Sequence, residues 1–215
     1  MKFEKTEVWG FEHAIRGMRN PLESWDKSDS CYIGKRFNDQ FHIGKNDLVL
    51  MQKLIKAGSE HRKFLRQIFV AVDITAPLYF FKELGTYKVG TVANSTSTMH
   101  KLASTPITID CFEMDDFEDC KDDSNVYVSA IWIESITRLE KLRQTYNATK
   151  DKRYWKELIR LLPESWLQKR TITMNYENIL NMYRQRKNHK LTEWSKSFCG
   201  WVKTLPYAEE LICLE

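Results

Sequence analysis

Two stretches of the sequence collect side chains that can do chemistry. The first extends from Glu60 to Leu102 and combines imidazole, ammonium, amide and hydroxyl groups with aromatic residues. The second extends from Leu162 to Trp194 and carries amides and arginines along a helical pattern. Amides and hydroxyls hydrogen-bond the edge of a base, aromatic rings stack on it, and cations bind phosphate. The two stretches therefore predict a nucleotide-binding site.

The candidate site residues each have a structural alternative. An asparagine or serine caps backbone N–H groups, a histidine can fill a satisfied core position, a lysine is most often solvated, and an arginine in the last turn of a helix is stabilised by the helix dipole. Both explanations stay open for every candidate. The candidates are His61, Lys82, Lys88, Asn94, Ser97, His100, Asn175, Asn181 and Arg186.

A third candidate lies near the N-terminus. The run Arg16–Pro21 places two arginines beside a glycine and an Asn-Pro turn. Arginine forks and free backbone N–H groups suit a phosphate. The alternative is an ordinary turn with solvated charges.

The composition bounds the class of protein. Hydrophobic residues make up 42% and aromatic residues 13% of the 215 residues, which is enough for a packed core and argues against disorder. The formal charge of +4 is small for a dedicated nucleic-acid binder, which shows a stronger and more clustered excess. The basic stretch 184–190 is therefore interpreted as the solvated end of a helix.

Cysteine usage and apolar patterning predict a soluble, cytoplasmic protein. The five cysteines are widely spaced and form no CxxC pair, which argues against structural zinc or a disulfide framework and fits a reducing compartment. The charged start Met1–Lys5 lacks the apolar core of a signal peptide. No apolar run approaches the roughly 20 residues of a membrane span. The acidic stretch 110–123 lacks the spacing of a calcium loop, so no metal site is predicted.

The elements that must position the candidate residues follow from periodicity. Helical spacing predicts a helix through Leu48, Met51, Leu54 and Ile55, capped by Asn46 or Asp47 and ended at Gly58. Residues 68–74 predict a strand, and residues 85–108 a loop or irregular strand. Residues 1–45 are predicted to be irregular. Further helices are predicted at 78–84, 126–146, 154–162, 176–186 and 191–202.

With no internal repeat or long linker, one α+β domain over residues 1–215 is the simplest prediction, with several helices around a small sheet. The order of its pieces resembles the flavin-dependent thymidylate synthases, a family with a small antiparallel sheet. The resemblance covers most of residues 47–212 and needs no gap from Pro163 to Arg186. The matching pieces are Glu60-His61-Arg62-Lys63-Phe64, Phe80-Phe81, Asn94 to Ser97, Leu162-Pro163, Thr173-Met174-Asn175, Asn181, Arg186, His189 and Trp194.

The resemblance implies an enzyme that binds FAD and dUMP and methylates or otherwise modifies uracil at C5. Methylenetetrahydrofolate would give the carbon and NADPH would reduce the flavin, in a homotetramer. It implies catalytic roles for Arg186 and Ser97, and substrate contacts from these two residues and His100. The cofactor-binding residues it implies are His61, Lys82, Lys88, Asn94, Asn175 and Asn181.

The sequence departs from the family in its Arg-His-Arg signature, which binds flavin and nucleotide phosphates. The position reads Lys82-Glu83-Leu84 in one register and Thr86-Tyr87-Lys88 in the other, so each offers one cation. The arginine expected after Ser97 is missing, and Met99 and His100 stand there. An alternative function is therefore a pyrimidine-nucleotide-binding homologue, non-catalytic or of altered specificity, that has lost flavin chemistry.

Overall fold

A computed structural model describes residues 1–34 and 40–214. The strands are β1 (Lys2–Trp9), β2 (Cys31–Ile33), β3 (Gln40–His42), β4 (Phe69–Pro77), β5 (Val92–Ser95) and β6 (Leu167–Asn175). The helices are α1 (Phe11–Arg19), α2 (Lys45–Lys56), α3 (Leu78–Leu84), α4 (Thr98–Lys101), α5 (Val128–Thr149), α6 (Lys152–Arg160), α7 (Tyr176–Arg186), α8 (Cys199–Val202) and α9 (Ala208–Leu211). A 3-10 helix spans Arg62–Gln67, and a π-helix spans Glu193–Phe198.

Four of the strands form one sheet, in the order β1-β4-β6-β5. Strand β4 is buried at Val70, Val72, Ile74 and Ala76, in keeping with its β-branched composition. A separate antiparallel hairpin pairs Cys31 in β2 with His42 in β3. The α+β class with a small antiparallel sheet, predicted from the sequence, is confirmed.

The chain forms two compact units. The first unit comprises Met1–Lys2, Ile74–Thr86 and Asn94–Arg170. Its core packs against the long helix α5, and α6 packs on the same helix. The buried members of this core are Leu102, Ile107, Phe112, Leu139, Leu158 and Trp166. The second unit comprises Phe3–Asp73, Tyr87–Ala93 and Thr171–Glu215.

The core of the second unit is aromatic. Trp194, Tyr176 and Phe198 are among its fully buried side chains. Phe198 packs edge-on against Trp194, with ring centroids 5.1 Å apart, and Phe11 packs edge-on against Tyr176 at 5.6 Å. Such edge-to-face pairs contribute beyond the area they bury.

A buried ion pair holds α1 to α2 in the second unit. The carboxylate of Asp47, 0% exposed, accepts hydrogen bonds from Arg19 Nε at 2.6 Å and from the hydroxyls of Ser28 and Ser30 at 2.7 and 2.6 Å. Arg19 also donates to the carbonyl oxygens of Ser24 and Lys27, each at 3.1 Å. Burial disfavours the Asp47 carboxylate, but these hydrogen bonds outweigh that cost and lower the pKa of its carboxyl group.

The prediction of an irregular segment over residues 1–45 is wrong for most of its described part. The segment contains strand β1, helix α1 and the hairpin strands, while residues 35–39 lie outside the described residues. Helix α1 buries Ala14, Ile15 and Met18 at helical spacing. The turn expected at Arg16–Pro21 lies at the end of this helix, where Arg19 pairs with Asp47.

Most other predicted helices and strands are confirmed, α3 and α7 with their predicted ends and the rest with shifted ends, and one strand was missed. The predicted cap of α2 is wrong, because Asp47 turns inward and Asp29 instead accepts from the backbone N–H groups of Asn46 and Asp47 at 2.9 and 3.1 Å. Strand β6 was not predicted. The helix predicted over 191–202 is a π-helix followed by α8.

We expect Asp47→Asn to lower the free energy of unfolding by about 3–5 kcal/mol, because it leaves the buried Arg19 guanidinium unpaired. Urea unfolding followed by circular dichroism measures this, with Asp26→Asn, an exposed carboxylate of the same unit, as the control. The Asp47 contribution is present above its unfolded-state pKa of about 3.9. Since the pKa of Asp47 is lower in the folded state, the parent should lose this extra stability over Asp47→Asn only below about pH 4. Equal losses in the two variants would contradict this role.

Candidate functional site

Helix α7 in the second unit carries two of the candidate residues, Asn181 and Arg186, and a third caps it. Asn175 caps it, accepting from the backbone N–H of Asn178 at 2.9 Å, while Asn178 Oδ1 accepts from the backbone N–H of Asn175 at 3.2 Å. This capping box fixes the start of the helix. Asn178 Nδ2 also donates to the carbonyl oxygen of Val89 at 2.8 Å, which ties the segment Tyr87–Val89 to the first turn of α7.

Arg186 lies in the last turn of α7 with its guanidinium against two aromatic rings. Its Nε donates to Tyr87 Oη at 3.0 Å, and the guanidinium carbon lies 4.9 Å from the ring centroid of Trp194 and 5.6 Å from that of Tyr87. Tyr87 Oη donates in turn to Gln185 Oε1 at 2.8 Å. These contacts give the cation a fixed orientation, which is what an anion-recognising arginine requires.

In the first turn of the same helix, Glu177 joins two arginines. The residue is 9% exposed, and its carboxylate accepts hydrogen bonds from Arg62 Nε at 3.2 Å and from Arg66 Nε. Hydrogen bonding to Glu177 raises the pKa of the Arg66 guanidinium. Arg62 also donates to Asn181 Oδ1 at 3.1 Å, so the candidate Asn181 binds a side chain of its own unit. The cluster keeps one positive charge in excess.

A cavity of about 1370 Å³ lies in the second unit, between the end of α1, helix α2 and the 3-10 helix Arg62–Gln67. We call it the basic cavity. Its apolar lining includes Met18, Val49, Leu50, Leu54 and Phe64. Its charged and imidazole lining consists of Arg19, Lys27, Lys45, Lys53, Glu60, His61, Lys63 and Arg66. Such a lining suits a large, flat ligand that carries negative charge.

The first unit holds the remaining candidates. Ser97 Oγ accepts from the backbone N–H of His100 at 3.2 Å and caps the short helix α4. Asn94 is exposed on β5, and His100 is exposed on α4. Lys82 Nζ lies 2.6 Å from a carboxylate oxygen of Glu164, and both side chains are more than half exposed.

The candidate residues thus fall into two groups. The first unit brings Ser97 and His100 into contact and holds Lys82 and Asn94. In the second unit Arg186 contacts Tyr87, the neighbour of Lys88, and Asn181 contacts Arg62, the neighbour of His61. The ligand-binding roles of all nine residues stay predictions.

Sequence reasoning missed Glu177 and Arg66, which complete the cluster beside the basic cavity. One signal was present for Glu177: it lies between Tyr176 and Ile179 near the start of an amphipathic helix, and a carboxylate that is buried there needs a cation. Nothing in the sequence pairs it with Arg66, because the two are 111 residues apart.

The described residues contain neither a cluster of metal ligands nor a helix that could span a membrane. No group of three or more His, Cys, Asp or Glu side chains is placed to hold a metal ion in the part of the chain that the structure describes. Across the same residues, none of the helices combines the length and apolar character that crossing a bilayer requires.

Neither a protein-family model nor a curated protein matches this chain. Several solved structures do match it. A crystal structure of the flavin-dependent thymidylate synthase ThyX from Helicobacter pylori, complexed with FAD and dUMP, aligns with a TM-score of 0.69 over 100% of both chains at 17% identity. A second structure of the enzyme with FAD and dUMP gives a TM-score of 0.72 over 99% of this chain and 97% of that one, at 16% identity. The chain therefore has the fold of the flavin-dependent thymidylate synthases, as its sequence predicts.

Proposed function

We propose that this protein binds FAD and a pyrimidine nucleotide and methylates or otherwise modifies the nucleotide at C5 of uracil. The observation that carries the proposal is the basic cavity, in a chain that shares its fold over its full length with structures holding FAD and dUMP. The proposed substrate is dUMP or a close relative. The proposed co-substrates are methylenetetrahydrofolate as one-carbon donor and NADPH as reductant.

The basic cavity fits a flavin dinucleotide in size and in chemistry. At about 1370 Å³ it exceeds the usual volume of a site for a drug-sized molecule. Leu50, Leu54 and Phe64 would pack against flat rings, and Lys63 and Arg66 would hold the phosphate oxygens. His61 lines the same cavity, in accord with its predicted cofactor contact. A bound flavin supplies hydride chemistry, and the protein orients it.

Arg186 is proposed to activate the pyrimidine. C5 of uracil is a poor nucleophile, so its attack requires that negative charge on the ring be stabilised. A guanidinium held by Tyr87 and Trp194 loses little freedom when it binds the carbonyl edge of the base. Donors that are oriented before the reaction stabilise developing charge most effectively.

One observation favours the alternative function, a pyrimidine-nucleotide-binding homologue that has lost flavin chemistry. In the register Lys82-Glu83-Leu84, the ammonium group of Lys82 is already paired with Glu164 at 2.6 Å. The side chain of Glu83 adds a negative charge, which repels a pyrophosphate. A measurement of FAD binding would distinguish the flavin-dependent enzyme from the homologue that has lost flavin chemistry.

Arg186→Ala should weaken dUMP binding about ten- to a hundredfold, because it removes a charge-assisted contact to the base. Isothermal titration calorimetry measures the dissociation constant, with circular dichroism as the check on folding. Arg184→Ala is the matched control, since it removes the same group from the last turn of the same helix. Unchanged dUMP affinity in Arg186→Ala would refute the role of Arg186.

FAD should bind more weakly than it does to typical family members, because the signature offers one cation in either register and the phosphates depend on Lys63 and Arg66 of the basic cavity. Titration of FAD into the apo-protein, followed by fluorescence quenching, measures its affinity. Lys63→Glu should weaken binding further, whereas Lys56→Glu, an exposed change on α2 outside the cavity lining, should not. Equal FAD affinities in the two variants would contradict the binding of FAD in the basic cavity. No binding at high micromolar FAD would favour the alternative function.

The protein should form a homotetramer, or at least a dimer. Helix α5 in the first unit exposes Ile131 by 45% and Ile133 by 65%, and such apolar surface is typical of contacts between subunits. Light scattering at micromolar concentration should give about four times the chain mass of 25.6 kDa. A particle with the mass of one chain would contradict this prediction.

A further inference from the structure

A second cavity lies in the second unit, and we call it the aromatic cavity. Its volume of about 870 Å³ is typical of sites that hold small molecules. The end of β1, the first turn of α1, the hairpin strands β2 and β3 and the segment before α9 contribute its walls. Among the described residues, it shares no lining residue with the basic cavity. Its aromatic lining consists of Trp9, Phe11, Tyr32, Phe41 and Tyr207.

The rings of the aromatic cavity are inclined to one another. Tyr32 and Phe41 meet at 70° with ring centroids 5.1 Å apart, and Phe11 and Tyr207 meet at 69° with centroids 5.7 Å apart. The backbone of Tyr207 has a φ of +54°, which is costly for a residue other than glycine. Its Oη accepts from the backbone N–H of Ile43 at 2.9 Å, which fixes the ring. Inclined rings offer π faces in several directions, as in the aromatic cages that surround cations.

The charge of the lining favours a cation. Its described residues include one carboxylate, Glu12, and neither lysine nor arginine, although the whole chain has a formal charge of +4. Glu12 lies in the first turn of α1, where the helix dipole stabilises a carboxylate. Tyr32 Oη donates to Glu12 Oε2 at 2.9 Å, which holds the carboxylate beside the rings. The negative faces of the rings add to its attraction for a positive charge.

The hydrogen-bonding groups of the lining favour a ligand that donates. His13 Nε2 lies 3.0 Å from the carbonyl oxygen of Gln67, and because a carbonyl oxygen only accepts, Nε2 carries the proton. In the neutral imidazole, Nδ1 is then an acceptor. Thr204 Oγ1 donates to the carbonyl oxygen of Trp201 at 2.7 Å. These protons are thus donated to protein oxygens, whereas the Glu12 carboxylate and His13 Nδ1 can still accept.

We propose that the aromatic cavity binds a small organic ammonium ion, held by the carboxylate of Glu12 and by the faces of the surrounding rings. A protonated amine combines the positive charge and the N–H donors that the lining favours. Its apolar part would pack against Val8, Ile33 and Pro206, which also line the cavity. The site is separate from the basic cavity, so the proposal does not depend on the binding of FAD or of a nucleotide.

The test compares two probes, phenethylammonium and phenethyl alcohol, which share the ring and chain and differ in the ammonium or hydroxyl group. Calorimetric titration of the purified parent protein measures the two dissociation constants. Phenethylammonium should bind about three- to tenfold more tightly, because the cation contacts the rings and Glu12. Equal affinities would mean that the cavity selects apolar surface alone and would overturn the proposal. No binding of phenethylammonium at low millimolar concentration would also overturn it.

Two matched variants locate the binding. Glu12→Gln removes the charge and keeps an acceptor for Tyr32, so phenethylammonium affinity should fall about three- to tenfold while phenethyl alcohol affinity stays unchanged. Glu7→Gln, an exposed change on β1 outside the cavity lining, should leave both affinities unchanged. Equal phenethylammonium affinities in the two variants overturn the proposal. Should Glu12→Gln fail to fold, Trp9→Leu replaces it and should weaken the ammonium ion more than the alcohol, and equal losses for the two probes overturn the proposal.

Discussion

The buried carboxylate of Asp47 is the interaction on which the second unit depends. It receives Arg19 from α1, two serine hydroxyls from the segment before β2 and two backbone N–H groups from that segment. Residues from these same elements line the basic cavity. A carboxylate that is fully removed from water must be surrounded by donors, and satisfying it brings the walls of the cavity together. The stability of the unit and the shape of its proposed ligand site therefore have a common origin.

The arginines of the molecule are used in different ways, according to what surrounds each one. Arg19 and Arg62 are engaged by carboxylates and serve to join elements. Arg66 shares Glu177 but is 52% exposed and also lines the basic cavity. Arg186 and Arg170 lie over aromatic rings, which help to orient each guanidinium. Arg186, to which the contact with the pyrimidine is proposed, is thus oriented by the rings of Tyr87 and Trp194.

Much of the fold is readable from the sequence, and the missed parts have physical reasons. Helix α7 was predicted with its observed ends because its apolar positions repeat every three or four residues. Strand β6 was missed because Gln168, Lys169 and Arg170 make its first half polar, and only the folded chain supplies their partners. In the site, Arg186 was identified from the resemblance to the family, but its contact with Tyr87 spans 99 residues and cannot be predicted from local patterns.

The short segment Tyr87–Val89 is attached to both ends of α7. Val89 accepts from Asn178 in the first turn, and Tyr87 binds Arg186 in the last. Opening of either helix end therefore strains the attachment at the other, so the helix and the segment form one cooperative unit of local unfolding. A ligand held by Arg186 would slow amide hydrogen exchange along the whole of α7 and not only near the ligand, because ligand binding and local closure are thermodynamically linked.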